Sequence, residues 1–261
     1  HEVLDPRDLK FYLNQPNYSW KPEDDPFAWR DRLPFARVGL AELIVFTFIT
    51  LVPAAGVLTA LLTQDFSVTV ATVLWIVFAG LLFCGGEVIW FFRNPRRTGP
   101  DGPGDVLSPA DGKIVEIKEL EHDEYIGGPA IQIGIFLSIF NVHINRSPIA
   151  ARTIGMTYKP GEFLNALNPE SAIRNERLEI RLEANDATQR RMIVRQIAGL
   201  IARRIVCRLK PGDDLARGEQ FGMIKLGSRT ELLVPKEEGL KIYVNIGDKV
   251  KAGITIFAEY K

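Results

Sequence analysis

The fold of the C-terminal part of the chain is indicated most directly by the stretch Arg177-Leu178-Glu179-Ile180-Arg181-Leu182-Glu183. Charged and apolar residues alternate there without a break, and a period of two is typical of a β-strand with one buried face. Apolar side chains also occupy every second position of Ile131–Ser138. Shorter strands are predicted at Arg190–Val194, Ala202–Cys207, Leu240–Ile246 and Ile254–Tyr260, whereas Ile197–Ile205 fits either a short helix or a strand. These patterns predict a β-rich sandwich or barrel with few helices.

The C-terminal tail points to the type of β framework. Val244–Ile254 has the sequence pattern of a strand, a Gly-Asp turn, a valine, a glycine and a second strand. This pattern is similar to that of lipoyl and biotinyl carrier domains. Such carriers display a lysine at a hairpin tip, and Lys225 beside Met223 does not sit in that context. The tail therefore predicts a lipoyl-like framework without a carrier role.

Two long apolar runs precede this domain. Val38–Thr63 and Phe66–Phe92 are separated only by the polar pair Gln64-Asp65, and each is long enough to cross about 30 Å of hydrocarbon. We expect a transmembrane helical hairpin over residues 38–92, in preference to a cleaved signal peptide or a buried soluble hairpin. Pro53 should kink or break the first helix. The predicted fold class is α+β, with the hairpin at the N-terminus.

Charge asymmetry orients the predicted hairpin. Lysine and arginine cluster before the first run and after the second, and the connecting loop has none. The positive-inside rule then places residues 1–37 in the cytoplasm as an N-terminal segment, together with the domain of residues 93–261. The predicted location is the bacterial inner membrane, with the domain on its cytoplasmic side.

Two acidic residues fall near the cytoplasmic ends of the apolar runs. We expect Glu42 and Glu87 to reach the interface or to pair with Arg37 and Arg93. The alternative is that they line a polar route by which lipid reaches the domain.

Composition excludes several classes of protein. The 32 basic residues balance the 32 acidic ones, which argues against a nucleic-acid partner. The two cysteines, Cys84 and Cys207, are not expected to form a disulfide, and the spacing of Cys and His predicts no metal site. His122 lies in a charged stretch and is predicted to be a solvated surface residue.

Three side chains supply the groups that activate a serine nucleophile. Ser228 offers a hydroxyl, His143 an imidazole that can act as a base near neutral pH, and Asp111 a carboxylate to orient that imidazole. Considered without the other two residues, Asp111 is predicted to be a turn residue, and His143 is predicted to be a structural residue of a strand. The preceding Gly227 gives an unhindered carbonyl and a backbone free to adopt a strained conformation.

Five motifs in a fixed order surround these residues. They are Phe92-Arg93-Asn94-Pro95-x-Arg97, Ser108-Pro109-Ala110-Asp111-Gly112-Lys113, Phe136-Leu137-Ser138 with Val142-His143-x-x-Arg146-x-Pro148, Ile197-Ala198-Gly199 with Ala202-Arg203-Arg204-Ile205-Val206-Cys207, and Gly222-x-Ile224-x-x-Gly227-Ser228-Arg229. In this order, residues 91–261 resemble the phosphatidylserine decarboxylases, in the form of the bacterial membrane-bound proenzyme. Many members have Gly-Ser-Thr where this chain has Gly-Ser-Arg. Some members also carry a second histidine where this chain has Arg146, which leaves His143 as the imidazole candidate.

The resemblance implies self-processing. Ser228 Oγ would attack the Gly227 carbonyl carbon, and β-elimination from the resulting ester would release a β chain (1–227). A pyruvoyl group derived from Ser228 would then cap the α chain (228–261), and the two chains would stay together as partners. This covalent cofactor would form a Schiff base with phosphatidylserine, a phospholipid in the membrane, and give phosphatidylethanolamine and CO₂. His143 is expected to serve as the base and also to return a proton to the product.

Substrate contacts follow from the charge change in the reaction. The carboxylate loses its charge in the transition state, so a tight arginine clamp on it would slow the step. We expect an apolar lining there, with Phe136 or Phe140 as candidates, and arginines reserved for the lipid phosphate.

Two alternatives stay open at this stage. The substrate is either phosphatidylserine or a related serine lipid such as archaetidylserine. A non-enzymatic, membrane-anchored adaptor with the lipoyl-like framework explains the Gly-Asp turn and the anchor, but not the combination of Asp111, His143 and Gly227-Ser228. The sequence leaves the oligomeric state open, including a homo-oligomer.

Overall fold

The computed structural model describes residues 27–166, 168, 170–200, 204–225 and 227–261. Most of the predicted cytoplasmic N-terminal segment, residues 1–26, lies outside the described residues. The first described elements are two short 3₁₀ helices, Ala28–Arg32 and Arg37–Gly39.

Two long helices form an antiparallel hairpin. Helix α1 spans Leu40–Thr63 and helix α2 spans Val68–Phe91, where the Ser67 side chain caps the first turn. Pro53 lies inside α1 without ending it. Both helices are apolar on all sides, and most of their side chains are exposed. Because a helix that is apolar all round needs an apolar environment, the hairpin indicates membrane association.

The remainder is a β-rich domain, so the predicted α+β class is confirmed. Its strands are β1 (Asp105–Leu107), β2 (Gly112–Asp123), β3 (Gly128–Leu137), β4 (Ile144–Arg146), β5 (Ala151–Lys159), β6 (Arg177–Ala184), β7 (Arg191–Ile197), β8 (Ile205–Cys207), β9 (Asp214–Leu215), β10 (Gln220–Ile224), β11 (Ser228–Pro235), β12 (Leu240–Ile242), β13 (Lys249–Val250) and β14 (Ile256–Tyr260). A four-residue helix, α3 (Ser171–Arg174), precedes β6.

The largest sheet has the strand order β13-β2-β3-β11-β7-β6-β5-β9, and it curls into a half-barrel. Two three-stranded sheets, β1-β14-β12 and β4-β10-β8, complete the domain, and every strand pair is antiparallel. Strand β11 lies in the middle of the large sheet, and all eight of its residues are buried. Ser228, at its first position, is therefore anchored by the best-protected strand of the domain.

The two faces of the large sheet differ in character. One face carries the apolar core, including Ile133, Ile135, Val194 and Leu232. The other face carries charged residues, because side chains of successive strand residues point to opposite sides. The alternation that predicted the strand at 177–183 is confirmed by β6, whose apolar residues are on the core face.

Several predicted strands shift at their ends. The strand predicted to end at Val194 continues to Ile197, whereas the one predicted over Leu240–Ile246 ends at Ile242. The ambiguous segment Ile197–Ile205 begins as the end of β7 and continues as a loop through Leu200.

The hairpin docks onto the sheet β4-β10-β8 through a second apolar cluster. Its members are Ala36, Leu43, Phe91, Phe92, Val142, Ile144 and Met223. Two backbone hydrogen bonds, from Ala36 N–H to Phe92 O and from Asn94 N–H to Pro34 O, tie the entry and exit of the hairpin together. The helices therefore emerge beside His143, whose ring centroid lies 4.5 Å from that of Phe91.

The expected pairing of Glu42 with Arg37 is wrong. Arg37 pairs with Asp31, and the Glu42 carboxylate pairs with Lys225 of the domain. The docked domain brings Lys225 to the end of α1, a long-range contact that spacing along the sequence does not reveal.

Candidate active site

The bond between Gly227 and Ser228 lies at the start of β11, where Ser228 is buried and Gly227 is half-buried. Gly227 has φ 59°, a left-handed conformation that glycine adopts without a steric penalty. Ser228 pairs in register with Leu137 and is fully buried on the core face of the sheet. The Ser228 Oγ has no hydrogen-bond partner among the described residues. An unpaired buried hydroxyl costs free energy, and such groups are typical of functional sites.

The carbonyl of Gly227 is fixed by a close approach of the backbone at Gly199. A Cβ added at Gly199 would lie 2.0 Å from the Gly227 oxygen and 2.9 Å from its carbon. Only glycine permits this contact. The sequence placed Gly199 in a motif but did not reveal this role, because the contact joins two distant segments.

His143 holds the other side of the same residue. Its Nε2 accepts a hydrogen bond of 3.2 Å from the Gly227 N–H, and its Nδ1 lies 2.9 Å from the Asn141 carbonyl oxygen. A carbonyl can only accept and an amide N–H can only donate, so these partners select the neutral ring protonated at Nδ1. Burial lowers the pKa of His143 to about 4. The negative charge of Asp111 opposes this shift, and the positive charge of Arg93 adds a smaller lowering of the same pKa. The imidazole is therefore a neutral base at physiological pH.

The loop that presents His143 is rigidly built. The Asn141 side chain accepts hydrogen bonds from both the backbone N–H and the hydroxyl of Ser138, at 2.9 and 2.7 Å. This turn fixes the Asn141 carbonyl and, through it, the tautomer of His143.

Asp111 does not take the place predicted for it. Its carboxylate forms a two-pronged ion pair with Arg97, at 2.5 and 2.8 Å, and accepts a hydrogen bond from Ala252 N–H. Arg97 also donates to the Ala252 carbonyl. The planar guanidinium matches both carboxylate oxygens, which makes it a stronger partner than an imidazole edge. Asp111 acts on His143 through its charge, and the orienting hydrogen bond comes from Asn141.

The two phenylalanines lie in different places. Phe136 is opposite Arg229 in register, on the charged face of the sheet and away from the Ser228 side chain. One step along a strand reverses the side-chain direction, so this placement does not favour Phe136 as a lining of the substrate carboxylate. Phe140 is 53% exposed in the loop that leads to His143.

A buried polar cluster adjoins Ser228 on the core face. Thr230 pairs in register with Gln196, and its hydroxyl accepts a hydrogen bond from Asn145 Nδ2 at 3.0 Å. Gln196 Nε2 donates to Asn145 Oδ1 at 2.8 Å, whereas Gln196 Oε1 is buried and has no hydrogen-bond partner in the described part of the chain. Of these residues the sequence could have suggested Asn145, which lies within the motif that contains His143.

Arg146, which the sequence placed in the His143 motif, makes structural contacts. It donates to the backbone carbonyls of Gly218 and Pro95, at 3.0 and 3.2 Å. Burial lowers the pKa of Arg146 to about 10, so it stays charged at neutral pH. His122 is exposed, as predicted. Across the part of the chain that the structure describes, no three His, Cys, Asp or Glu side chains are grouped to hold a metal ion.

Comparison with known proteins identifies the family. The family model for phosphatidylserine decarboxylase matches residues 86–258. A phosphatidylserine decarboxylase proenzyme of Rhodopirellula baltica is 49% identical over 97% of this chain and 99% of its own length. Proenzymes of the same name from Desulfotalea psychrophila and Syntrophus aciditrophicus are 38% and 46% identical, over 87% and 63% of this chain and 97% and 75% of their own lengths. The chain thus belongs to the phosphatidylserine decarboxylase family, whose members are carboxy-lyases.

Proposed function

We propose that this chain is a self-processing, pyruvoyl-dependent decarboxylase that converts phosphatidylserine to phosphatidylethanolamine and CO₂. The observation that carries the proposal is the pairing of an unsatisfied, buried Ser228 hydroxyl with a Gly227 carbonyl held against Gly199. Nucleophile and electrophile belong to adjacent residues, and a neutral imidazole, that of His143, accepts a hydrogen bond from the Gly227 N–H.

Self-cleavage begins with an acyl shift. Ser228 Oγ forms a bond to the Gly227 carbonyl carbon, and the bond from that carbon to the Ser228 nitrogen breaks. The proton of the hydroxyl passes to the leaving nitrogen, and we assign its transfer to His143, whose Nε2 accepts a hydrogen bond from the adjacent Gly227 N–H. Burial keeps His143 Nε2 unprotonated. Burial also keeps competing water away, which favours attack by the Ser228 hydroxyl over hydrolysis.

Separation of the chains follows by elimination. A base removes the Cα proton of Ser228, and the Gly227 carboxylate leaves as the C-terminus of the β chain (1–227). The dehydroalanine that remains takes up one water and releases ammonia, which leaves a pyruvoyl group on the α chain (228–261). The backbone of β11 and the side chains of His143 and Thr230 would surround this group.

Decarboxylation would use the same residues in new roles. The ketone supplies an electron sink for the amine-bearing head group, and the electrons released with CO₂ can be delocalised into it. The buried site keeps water out, and His143 would return a proton to the head-group carbon. Of the two candidates for the apolar lining we favour Phe140, because it lies in the exposed loop that leads to His143, where it would mark the entrance to the site.

The location follows from the hairpin and the flanking charges. Both ends of the hairpin are placed in the cytoplasm by the distribution of lysine and arginine, so we place the domain on the cytoplasmic face of the inner membrane. A phospholipid would then reach the site from the leaflet that surrounds α1 and α2.

Intact mass under denaturing conditions tests the proposal. Purified protein should give two chains cut between Gly227 and Ser228, and the smaller chain should lack a free amino terminus and react with borohydride in the presence of an amine. Ser228→Ala should stay whole and release no CO₂ from phosphatidylserine. A wild-type chain that stays whole yet releases CO₂ would refute pyruvoyl chemistry. An uncut, inactive chain would favour the adaptor, and parallel assays with ester and ether serine lipids separate the two substrates.

A further inference from the structure

An ion pair joins the membrane hairpin to the segment that precedes the cleavage bond. Glu42 lies in the first turn of α1, and its carboxylate contacts the ammonium of Lys225, two residues before Gly227. We propose that this pair is a positioning contact, through which the anchored helix α1 holds the Gly227-Ser228 bond in place for self-cleavage. The inference rests on the proposed self-cleavage and assigns it a further requirement.

The pair is shielded from water. The Lys225 side chain is 12% exposed and that of Glu42 is 33% exposed. The backbone N–H of Lys225 donates to the Arg204 carbonyl, and the Arg204 charge also acts on Glu42. Because screening by water is weaker here than at an open surface, the pair can restrain Lys225 more firmly than an exposed pair could.

Restraint at Lys225 is transmitted directly to the reacting group. Lys225 is two residues before Gly227, and two residues of extended chain span at most about 7 Å, so a restraint on Lys225 limits the range of positions open to Gly227. On the other sides, Gly227 is held by His143 Nε2 and by Gly199, and Ser228 is fixed in β11. Lys225 therefore supplies the hold on the N-terminal side of the bond.

The choice of partner argues against an incidental surface pair. A carboxylate at the end of an apolar helix is costly unless it is paired. Two arginines flanking the hairpin are engaged elsewhere, Arg37 with Asp31 and Arg93 with the carbonyls of Trp90 and Phe140. Glu87, the corresponding acidic residue of α2, makes no ion pair within the described part of the chain. Of the two acidic residues, Glu42 is thus the one that contacts the segment preceding the cleavage bond, through Lys225.

Cleavage kinetics of the full chain test the contact. The chain is synthesised in a cell-free system with lipid nanodiscs. Release of the 228–261 fragment from the full-length chain is followed on gels over time. Glu42→Gln and Lys225→Met should each slow cleavage about 10- to 100-fold, since small displacements of reacting groups carry penalties of this order. Lys225→Arg should stay within about threefold of wild type, because it retains the charge, and Glu87→Gln should cleave at the wild-type rate.

A double variant separates coupling from general destabilisation. If the two side chains act as one contact, Glu42→Gln with Lys225→Met should cleave no more slowly than the slower single variant. Single variants that cleave at the wild-type rate, or losses that multiply in the double variant, would overturn the inference. Each substitution is also made in the uncleaved Ser228→Ala chain. A melting temperature equal to that of Ser228→Ala alone would show that the substitution leaves folding unchanged. A wild-type chain that never cleaves would instead refute the proposed function itself.

Discussion

Gly199 controls the cleavage bond through the absence of a side chain. Gly199→Ala would place a methyl group 2.0 Å from the Gly227 oxygen, so the scissile carbonyl has to move. Because that carbonyl is the electrophile, we expect cleavage to slow at least about 100-fold, with a small loss of stability. Time courses of cleavage measure the effect. Gly155→Ala is the matched control, since its added Cβ would have no neighbour within 4 Å; equal rates for both variants would contradict the role of Gly199.

The pKa of His143 predicts an unusual pH profile. Burial lowers this pKa from 6.5 to about 4, so the ring stays neutral and basic well below the usual range. The cleavage rate should therefore be flat between pH 7 and pH 5 and should fall to half near pH 4. Rates measured after pH jumps, with folding monitored by circular dichroism, test this. A midpoint near 6.5 would show that the imidazole is solvated when it reacts.

The same shift affects stability with a defined sign. A histidine whose pKa is lowered on folding stabilises the folded state fully above its unfolded pKa of 6.5, and this contribution is lost as the pH falls toward 4. We expect His143→Gln to reduce the loss of melting temperature between pH 6.5 and pH 4.5. His122→Gln, at an exposed site, should leave that loss unchanged. An identical loss in wild type and His143→Gln would contradict the predicted contribution.

At the scale of single residues, the sequence identified the candidate site residues better than it identified their hydrogen-bond and ion-pair partners. The motifs singled out Ser228, Gly227 and His143, and the structure brings the His143 ring into hydrogen-bond contact with Gly227, the neighbour of Ser228. Asp111 was expected beside His143, yet Arg97 offers the better-matched partner and Asn141 orients the ring. Spacing along a chain cannot rank competing partners that only the folded backbone brings within reach.

Strand β11 carries its charged residues on the face opposite Ser228. Arg229 pairs with Glu116 and, at 2.9 Å, with Glu231, which is 2% exposed. Burial raises the pKa of Glu231, an effect that Arg229 counteracts. This network explains what the Arg of the Gly-Ser-Arg motif does: it neutralises a buried carboxylate and does not face the cleavage bond.

Breaking this network should destabilise the element. Arg229→Met leaves Glu231 without its nearest cation, and we expect a loss of about 2–4 kcal/mol of unfolding free energy, seen as a lower melting temperature. Adding Glu231→Gln should restore part of the loss, since the uncompensated charge is removed. Arg174→Met, in an exposed pair on α3, is the control and should leave the melting temperature nearly unchanged. A double variant as unstable as Arg229→Met alone would contradict this account.

Elements were predictable where one face is buried and the other solvated. The alternation in β6 gave both its extent and its orientation. Strand β7 was predicted to end too early because Gln196 lies on its core face, where an apolar residue was expected. That position is polar because Gln196 bonds Asn145 next to Ser228, so the pattern failed at the candidate site.

Over the whole molecule, the loop of residues 138–141 connects the membrane hairpin with the site. Trp90 Nε1 and Arg93 both donate to the Phe140 carbonyl at 3.0 Å, and Asn141 of the same loop orients His143. Tryptophan at the end of an apolar helix is typical of the membrane interface. Phe140 should therefore lie at the level of the lipid head groups.

Depth measurements in nanodiscs test this placement. In a background with Cys84→Ser and Cys207→Ser, a fluorophore on Phe140→Cys should be quenched by lipids that carry a quencher in the head-group region. His122→Cys lies near the opposite end of the ten-residue strand β3, about 25 Å away or more, and should be unaffected. Equal quenching at both positions, or none at residue 140, would contradict the proposed entrance.

The architecture of hairpin and domain followed from the sequence because both rest on simple patterns, long apolar runs and alternation. Their junction did not. Glu42 and Lys225 are 183 positions apart, the docking cluster joins residues as distant as Ala36 and Met223, and neither contact has a signature in spacing.

The central position of β11 also has a consequence for the order of events in the life of the protein. The fragment 228–261 contributes the strand between β3 and β7, and it also contributes β14, which pairs with β1. A cut at residue 227 would thus divide the covalent chain without dividing the folded body, and neither piece would retain the large sheet or the sheet β1-β14-β12 complete. Assembly is finished before the pieces exist as separate molecules. Because His143 and Gly199 reach the proposed cleavage bond only in the finished fold, the proposed cut would also act as a check on folding: a misfolded copy would stay whole and would not acquire the pyruvoyl group.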